Sequence, residues 1–275
     1  MKKKVLITGV TGSIGRATAM ELAKNNCHVI LLGRDSGKLN SVRSELIQAT
    51  GNSDIEAYVA DLSESESIRK AVAEIKGIHS SLNALINVAA IFKTHRFENS
   101  KGYEYMFATN HLGPFILTNE LLDLLKAGKP ARVLTVSAPS TTKVNFDDLS
   151  GKKRFSNGFL GAFGSSKMMN LMFTYALARR LEGTGVTANV FHPGLIKSGL
   201  LKESPKLMYY FFRVVSSQPD KAAQMLCNLV LDSRYESING RFFRFDGKEI
   251  KSNRYSHDEV LQEKLWLMSE QLSSA

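Results

Sequence analysis

A short apolar run, Val5-Leu6-Ile7, ends on Thr8-Gly9-Val10-Thr11-Gly12-Ser13-Ile14-Gly15, and a helical pattern follows from Ile14 to Asn25. Few folds accommodate a strand, a glycine-rich turn and a helix in that order. A second apolar run spans His28 to Leu32, with a turn at Gly33-Arg34-Asp35-Ser36-Gly37. Leu39, Val42, Leu46 and Ile47 then fall at helical spacing. Further strand-like runs cover Ile55–Ala60, Leu82–Asn87, Arg132–Ser137, Val186–Phe191 and Arg241–Phe245. Ser63-Glu64-Ser65-Glu66 carries capping chemistry and early acidic residues, which predicts a helix start. Strands and helices alternate, and the early strands are apolar throughout. Such a pattern predicts an α/β fold, a single-domain Rossmann-type doubly wound parallel sheet with helices on both faces. One domain is expected over residues 1–275. Leu195 to Val215 breaks the rhythm with an aromatic stretch, Tyr209-Tyr210-Phe211-Phe212, and is read as a lid over the carboxyl ends of the strands.

The bulk numbers exclude several classes. No window approaches the ~18 apolar residues of a membrane span. The start, Met1-Lys2-Lys3-Lys4, is not followed by a signal-type apolar segment, so a cytoplasmic protein is expected. Cys27 and Cys227 suggest two reduced core thiols and no disulfide framework. Net charge is +10, yet no aromatic residues interleave with a basic stripe, so no nucleic-acid partner is expected. The densest basic patch, Gly151-Lys152-Lys153-Arg154, reads as a solvated face or a partner contact. No metal site is expected.

The glycine-rich turn points to a dinucleotide. Backbone N–H groups of Gly9, Thr11, Gly12, Ser13, Ile14 and Gly15, at a helix N-terminus, favour a pyrophosphate. Arg34, just past the second strand, stands where the adenosine ribose is met. A guanidinium there suits a 2′-phosphate, so NADP(H) is the expected cofactor. Asp35 reads as a cap for the following turn, and Asp61 as a group holding an adenine edge or closing a turn.

Thr8 to Gly15, Gly33-Arg34-Asp35, Ala60-Asp61-Leu62, Asn110-His111-Leu112-Gly113, Val136-Ser137, Lys167, His192-Pro193-Gly194 and Glu263-Lys264-Leu265-Trp266 together carry a family resemblance. Over nearly its whole length the chain resembles the short-chain dehydrogenase/reductase family. It is most similar to the retinol-dehydrogenase-like branch, itself similar to WW-domain oxidoreductases and light-dependent protochlorophyllide reductases. The resemblance implies an oxidoreductase. It assigns Ser137 to the substrate oxygen, Lys167 to the nicotinamide ribose and the catalytic acid, and Asn110 to a water in the proton relay. Asn87, Ala89, Leu62, Pro193, Gly194, Ile196 and Ser198 fall in its cofactor-binding segments. It also implies a homo-oligomer, built on the helices around Asn110 and Lys167.

Two departures stand out. The family's Asn-Asn-Ala-Gly stretch is Asn87-Val88-Ala89-Ala90 here, and its catalytic tyrosine is Phe163. A phenol of pKa ~10 donates a proton once a nearby ammonium lowers that value. A phenyl ring donates none. Three readings of Phe163 follow. It is an engineered Tyr→Phe change in a carbonyl/alcohol enzyme. Or it is natural, in an enzyme that reduces a conjugated alkene or iminium ion or that cyclises without redox chemistry. Or the chain is a non-catalytic NADP(H)-binding protein. His95, Tyr209 and Tyr210 are conceivable substitute donors. Phe159, Phe163, Leu207, Met208 and Tyr209 to Phe212 suggest a bulky apolar substrate of the polyketide, terpenoid, alkaloid or retinoid kind. A membrane-surface role for the aromatic stretch is the weaker option.

Overall fold

Apolar runs that lack alternation belong in the middle of a covered sheet, and these runs lie there. The computed structural model describes residues 2–153, 155, 161–196 and 218–274. Its strands are β1 (Lys4–Thr8), β2 (His28–Gly33), β3 (Ile55–Val59), β4 (Ala84–Asn87), β5 (Ala131–Val136), β6 (Val186–His192) and β7 (Phe242–Arg244). They form one sheet in the order β3-β2-β1-β4-β5-β6-β7, every pair parallel. The strand order reverses between β1 and β4, so a crevice opens there at the carboxyl ends.

The described helices are α1 (Ser13–Lys24), α2 (Ser36–Thr50), α3 (Ser65–Ile78), α4 (Tyr105–Phe107), α5 (Gly113–Glu120), α6 (Leu122–Ala127), α7 (Ala162–Arg180), α8 (Asp220–Leu231) and α9 (Glu259–Ser274). A π-helical turn, Ala108–Leu112, joins α4 to α5. Side chains alternate across the sheet and sort the helices into two layers. Val5 and Ile7 face Leu22, Leu39 and Leu226, from α1, α2 and α8. Leu6 and Ile30 face Ile68, Leu117, Leu171 and Leu265, from α3, α5, α7 and α9.

The strand and helix boundaries expected above shift by a residue or two. One local expectation fails. The segment Ser63 to Glu66 does open α3, but Glu64 occupies the N-cap without a side-chain capping bond. Its carboxylate instead accepts from the backbone N–H and the hydroxyl of Ser100, and Ser63 Oγ donates to Asp61. The long-range loop contact outcompetes the local cap. Most of the expected lid lies outside the described residues, as do Ser198, Phe159, Leu207, Met208 and Tyr209 to Phe212.

Helix α9 covers the outer face of the helices around Asn110 and Lys167. Trp266 packs against Phe115 with ring centroids 5.0 Å apart and stacks on Phe173 at 5.7 Å. The Arg180 guanidinium lies 4.0 Å over the indole. Deeper in, His111 bonds Ser269 Oγ at 2.9 Å, and burial lowers its pKa to about 3, so the imidazole is neutral. Trp266→Ala removes a large buried aromatic, and we expect it to cost about 3–5 kcal/mol of unfolding free energy in urea titration.

Candidate active site

Thr8, the last residue of β1, ties the crevice together. Its hydroxyl oxygen accepts from Val88 N at 3.0 Å and Ala89 N at 3.1 Å. That brings the β1 turn against the loop after β4. Gly9 follows with φ +73°, and a Cβ there would sit 2.8 Å from Ala89 Cα. At Gly15 a Cβ would meet the Gly9 carbonyl oxygen at 2.3 Å. Both positions require glycine. Gly12 caps α1 and offers no side chain to the first N–H groups, and the first turn holds no acid. Thr11 and Gly12 are exposed, Ser13 and Ile14 half-buried. This cradle fits a pyrophosphate: close backbone and a helix N-terminus whose first turn carries no acidic residue.

Just past β2, Arg34 is exposed, and its Nη1 donates to Tyr105 Oη at 2.9 Å. Tyr105 has no distinguishing signal in the sequence, because only the fold brings it to β2. Asp35 does cap α2, accepting from Lys38 N at 3.0 Å. One Asp61 oxygen closes the local turn, accepting from Ser63 N at 2.9 Å and from the Ser63 hydroxyl. Leu62 is buried in the core, and its carbonyl would lie 2.3 Å from a Cβ on Gly113. Its side chain therefore packs in the core against α5. Asn87 donates to Thr118 Oγ1 at 3.1 Å, while its buried Oδ1 accepts from no group among the described residues. Pro193, Gly194 and Ile196 follow β6, with Gly194 at φ +79° against the Phe245 ring. Ile196 packs half-buried on the core beneath α1 and α8.

The would-be catalytic residues converge around the start of α7. Asn110 lies in the π-helical turn and binds the loop after β4: its Oδ1 accepts from Ile91 N at 2.8 Å and its Nδ2 donates to Ile91 O at 3.0 Å. Nδ2 also reaches Ser166 Oγ at 3.1 Å. Phe163 is in the first turn of α7, 6% exposed, and packs with Phe92 and Met106. Its ring meets Phe92 edge-on at 5.4 Å. Glu104 holds Met106 in place by capping α4, accepting from Met106 N and Phe107 N. One helical turn beyond Phe163, Lys167 places Nζ 5.4 Å from the ring centroid and donates to Val136 O at 3.4 Å. Burial lowers the Lys167 pKa to about 8.

Ser137 directly follows β5. Its hydroxyl donates to the Lys167 carbonyl at 2.9 Å, within the packing between β5 and α7. Ser140 does the same to Gly164 O at 2.8 Å. The half-buried Ala138 between them carries no donor. His192, at the end of β6, has a pKa lowered chiefly by burial and is neutral at pH 7. His95 is exposed on the loop after β4. The cluster therefore holds a buried ammonium and an apolar wall of Ile91, Phe92, Met106 and Phe163, with both expected hydroxyl donors missing from it: one residue lacks a hydroxyl and the other has it committed to α7.

The short chain dehydrogenase family model matches residues 3–207. Human retinol dehydrogenase 14 is 36% identical, covering 98% of this chain and 85% of its own. Mouse retinol dehydrogenase 12 is also 36% identical, covering 97% and 85%. A crystal structure of a protein from Mycobacterium Paratuberculosis superposes with a TM-score of 0.80 at 28% identity, covering 99% of this chain and 94% of that one. Among the described residues, no helix is long and apolar enough to cross a membrane.

The depressed Lys167 pKa has a testable sign. The unfolded lysine binds its proton up to pH ~10.4, whereas the folded one releases it from about 8. Between those values the unfolded state holds more protons, so Lys167 contributes increasing stability as pH rises. Urea unfolding at pH 8, 9 and 10 should show the wild type gaining on Lys167→Met across the series.

Proposed function

Because this chain belongs to the short-chain dehydrogenase family, and is an oxidoreductase of that type, we propose that it is an NADP(H)-dependent reductase of bulky apolar conjugated alkenes. The observation that carries this reading is the pairing of Phe163 with a buried Lys167 ammonium 5.4 Å from its ring, next to a Ser137 hydroxyl committed to the main chain. A site so built can stabilise negative charge but has lost the usual means of protonating oxygen.

Bound in the crevice, a reduced nicotinamide supplies a hydride. A carbonyl acceptor develops an alkoxide that needs a proton at oxygen as hydride arrives at carbon. Phe163 offers none, and loss of a positioned general acid typically costs about 10²–10⁴-fold. In a conjugated enone, hydride adds at the β carbon, the π electrons move toward oxygen as an enolate, and the α carbon takes its proton from water. The Lys167 ammonium favours that developing negative charge. An iminium acceptor also needs no proton, because its π pair becomes the nitrogen lone pair. It arrives as a cation, however, and the same ammonium repels it. Electrostatics therefore favours the enone. Ile91 and Phe163, backed by the buried Phe92 and Met106, would give such a substrate an apolar wall. Arg34, steadied by Tyr105, supports the NADP(H) preference through a charge-assisted contact to a 2′-phosphate.

The test uses stereospecifically 4-deuterated NADPH with an apolar enone and its saturated ketone. Wild type should place deuterium at the β carbon. Phe163→Tyr should raise ketone reduction about 10²–10⁴-fold. Ketone reduction by wild type as fast as by the variant would sink the reading. Bound NADPH with no deuterium in any product would favour cyclisation or a binding role. Separately, Arg34→Ala should weaken NADPH binding by about 10–100-fold and leave NADH unchanged, measured by fluorescence titration.

A further inference from the structure

At the opposite end of the sheet from the crevice, His28, Glu56 and His79 converge. We propose that they form a binding site for a divalent transition-metal ion of the zinc class. The three residues come from three elements: His28 opens β2, Glu56 is the second residue of β3, and His79 ends α3. In the parallel register Ile30 pairs with Glu56. The two-residue period then puts His28, Ile30, Glu56 and Tyr58 on one face, the face on which α3 packs.

The donor atoms already point at one place. His28 Nε2 lies 2.6 Å from Glu56 Oε1, and His79 Nε2 lies 3.0 Å from Glu56 Oε2. One ligand atom from each residue fits within a 4.8 Å span. The imidazoles are 5.2 Å apart at an interplanar angle of 89°, an arrangement that lets both Nε2 atoms meet at one point without stacking. Zinc bonds of ~2.0–2.2 Å in a tetrahedron separate ligand atoms by about 3.4 Å, so side-chain shifts of under about 1 Å admit the ion. Two imidazoles and one carboxylate are a zinc-type donor set, with a fourth position left for water.

The surroundings fit that role. Tyr58 Oη donates to Glu56 Oε2 at 2.6 Å and fixes the carboxylate, as groups behind a metal ligand commonly do. Burial pushes the Glu56 carboxyl up, but the bonds from Tyr58, His79 and His28 more than offset it, so the group is an anion at neutral pH. His79 is 3% exposed, while His28 and Glu56 are 20% and 30% exposed, so an ion has a route in from solvent. Without a metal the two N–H groups donate to the carboxylate. Binding breaks those two bonds, shifts each imidazole proton to Nδ1 and forms two N–metal bonds and one O–metal bond. Such an ion would pin edge strand β3 and the end of α3 to β2. The site is independent of the reductase reading above.

The test is zinc titration of the purified full chain after treatment with a chelator, by calorimetry and metal analysis, with cobalt(II) absorption as a report on geometry. One zinc per chain is expected. His28→Gln should weaken it at least tenfold, and the His28→Gln, His79→Gln pair should abolish it, with NADPH binding unchanged. No saturable zinc uptake, or uptake unchanged in the double variant, would overturn the proposal and leave a hydrogen-bonded triad. Should the buried His79→Gln change prevent folding, His28→Gln alone decides: undiminished zinc affinity in that folded variant rejects the site.

Discussion

The contact between Thr8 and the loop after β4 organises everything that bears on chemistry. A parallel sheet whose order reverses has two strand ends that diverge, and something must hold their loops at a fixed separation. Thr8 Oγ1 does so by accepting from two consecutive N–H groups, Val88 and Ala89. The Gly9 backbone then lies so close to Ala89 that no side chain fits between them. The cradle's depth is thus set by main chain on both sides. This arrangement also tolerates the family-unlike Val88 and Ala90, since the bonds that matter run through backbone N–H groups.

From that fixed crevice a second layer reaches the reacting centre. The loop after β4 is tied through Ile91 to Asn110, Asn110 to Ser166, and the Ser166 hydroxyl to the Phe163 carbonyl at 2.7 Å. The chain of bonds holds the first turn of α7 at a set height above β5. Ser137 and Ser140 fasten the same turn from below. None of these bonds uses the side chain of residue 163, so the scaffold does not depend on what that side chain carries. The local electrostatics here pair a buried ammonium with the negative face of a phenyl ring, an attraction of order 0.5–2 kcal/mol that orders both groups without moving a proton.

The fold was legible because its signals are local. Apolar runs, a glycine turn and helical spacing between them fix a doubly wound sheet without any knowledge of contacts. The Asp35 cap was legible for the same reason, standing directly at a helix end. Failures occurred where a side chain chooses between a near and a far partner. Glu64 left its helix for Ser100, and the Ser137 hydroxyl found a carbonyl partner in α7 that no local pattern announces. A motif aligns a residue, but strand pleat and packing choose its direction. Tyr105 beside Arg34, and His28 with Glu56 and His79, are separated by tens of residues in sequence and have no spacing to read. They exist as groups only once β2, β3 and their neighbours are assembled.

The same logic bears on self-association. The sequence resemblance places an oligomer interface on the helices around Asn110 and Lys167. In this chain α9 lies on that face, with Trp266 between Phe115 and Phe173, Ser269 on His111, and Arg180 bonded to Glu263 at 2.5 Å. The Arg69 guanidinium adds a bond to the Ser273 carbonyl at 2.8 Å, tying the last turn of α9 to α3. Apolar surface covered within one chain gives no further hydrophobic gain on meeting a second copy. A pairing through the Phe115 and Phe173 rings themselves would first have to displace α9 and re-expose them to water. The groove that stays open beside α9, lined by Arg69, Phe115, Ile116, Asn119, Glu120, Glu270 and Ser273, shows that α9 covers this face in part and becomes a component of it.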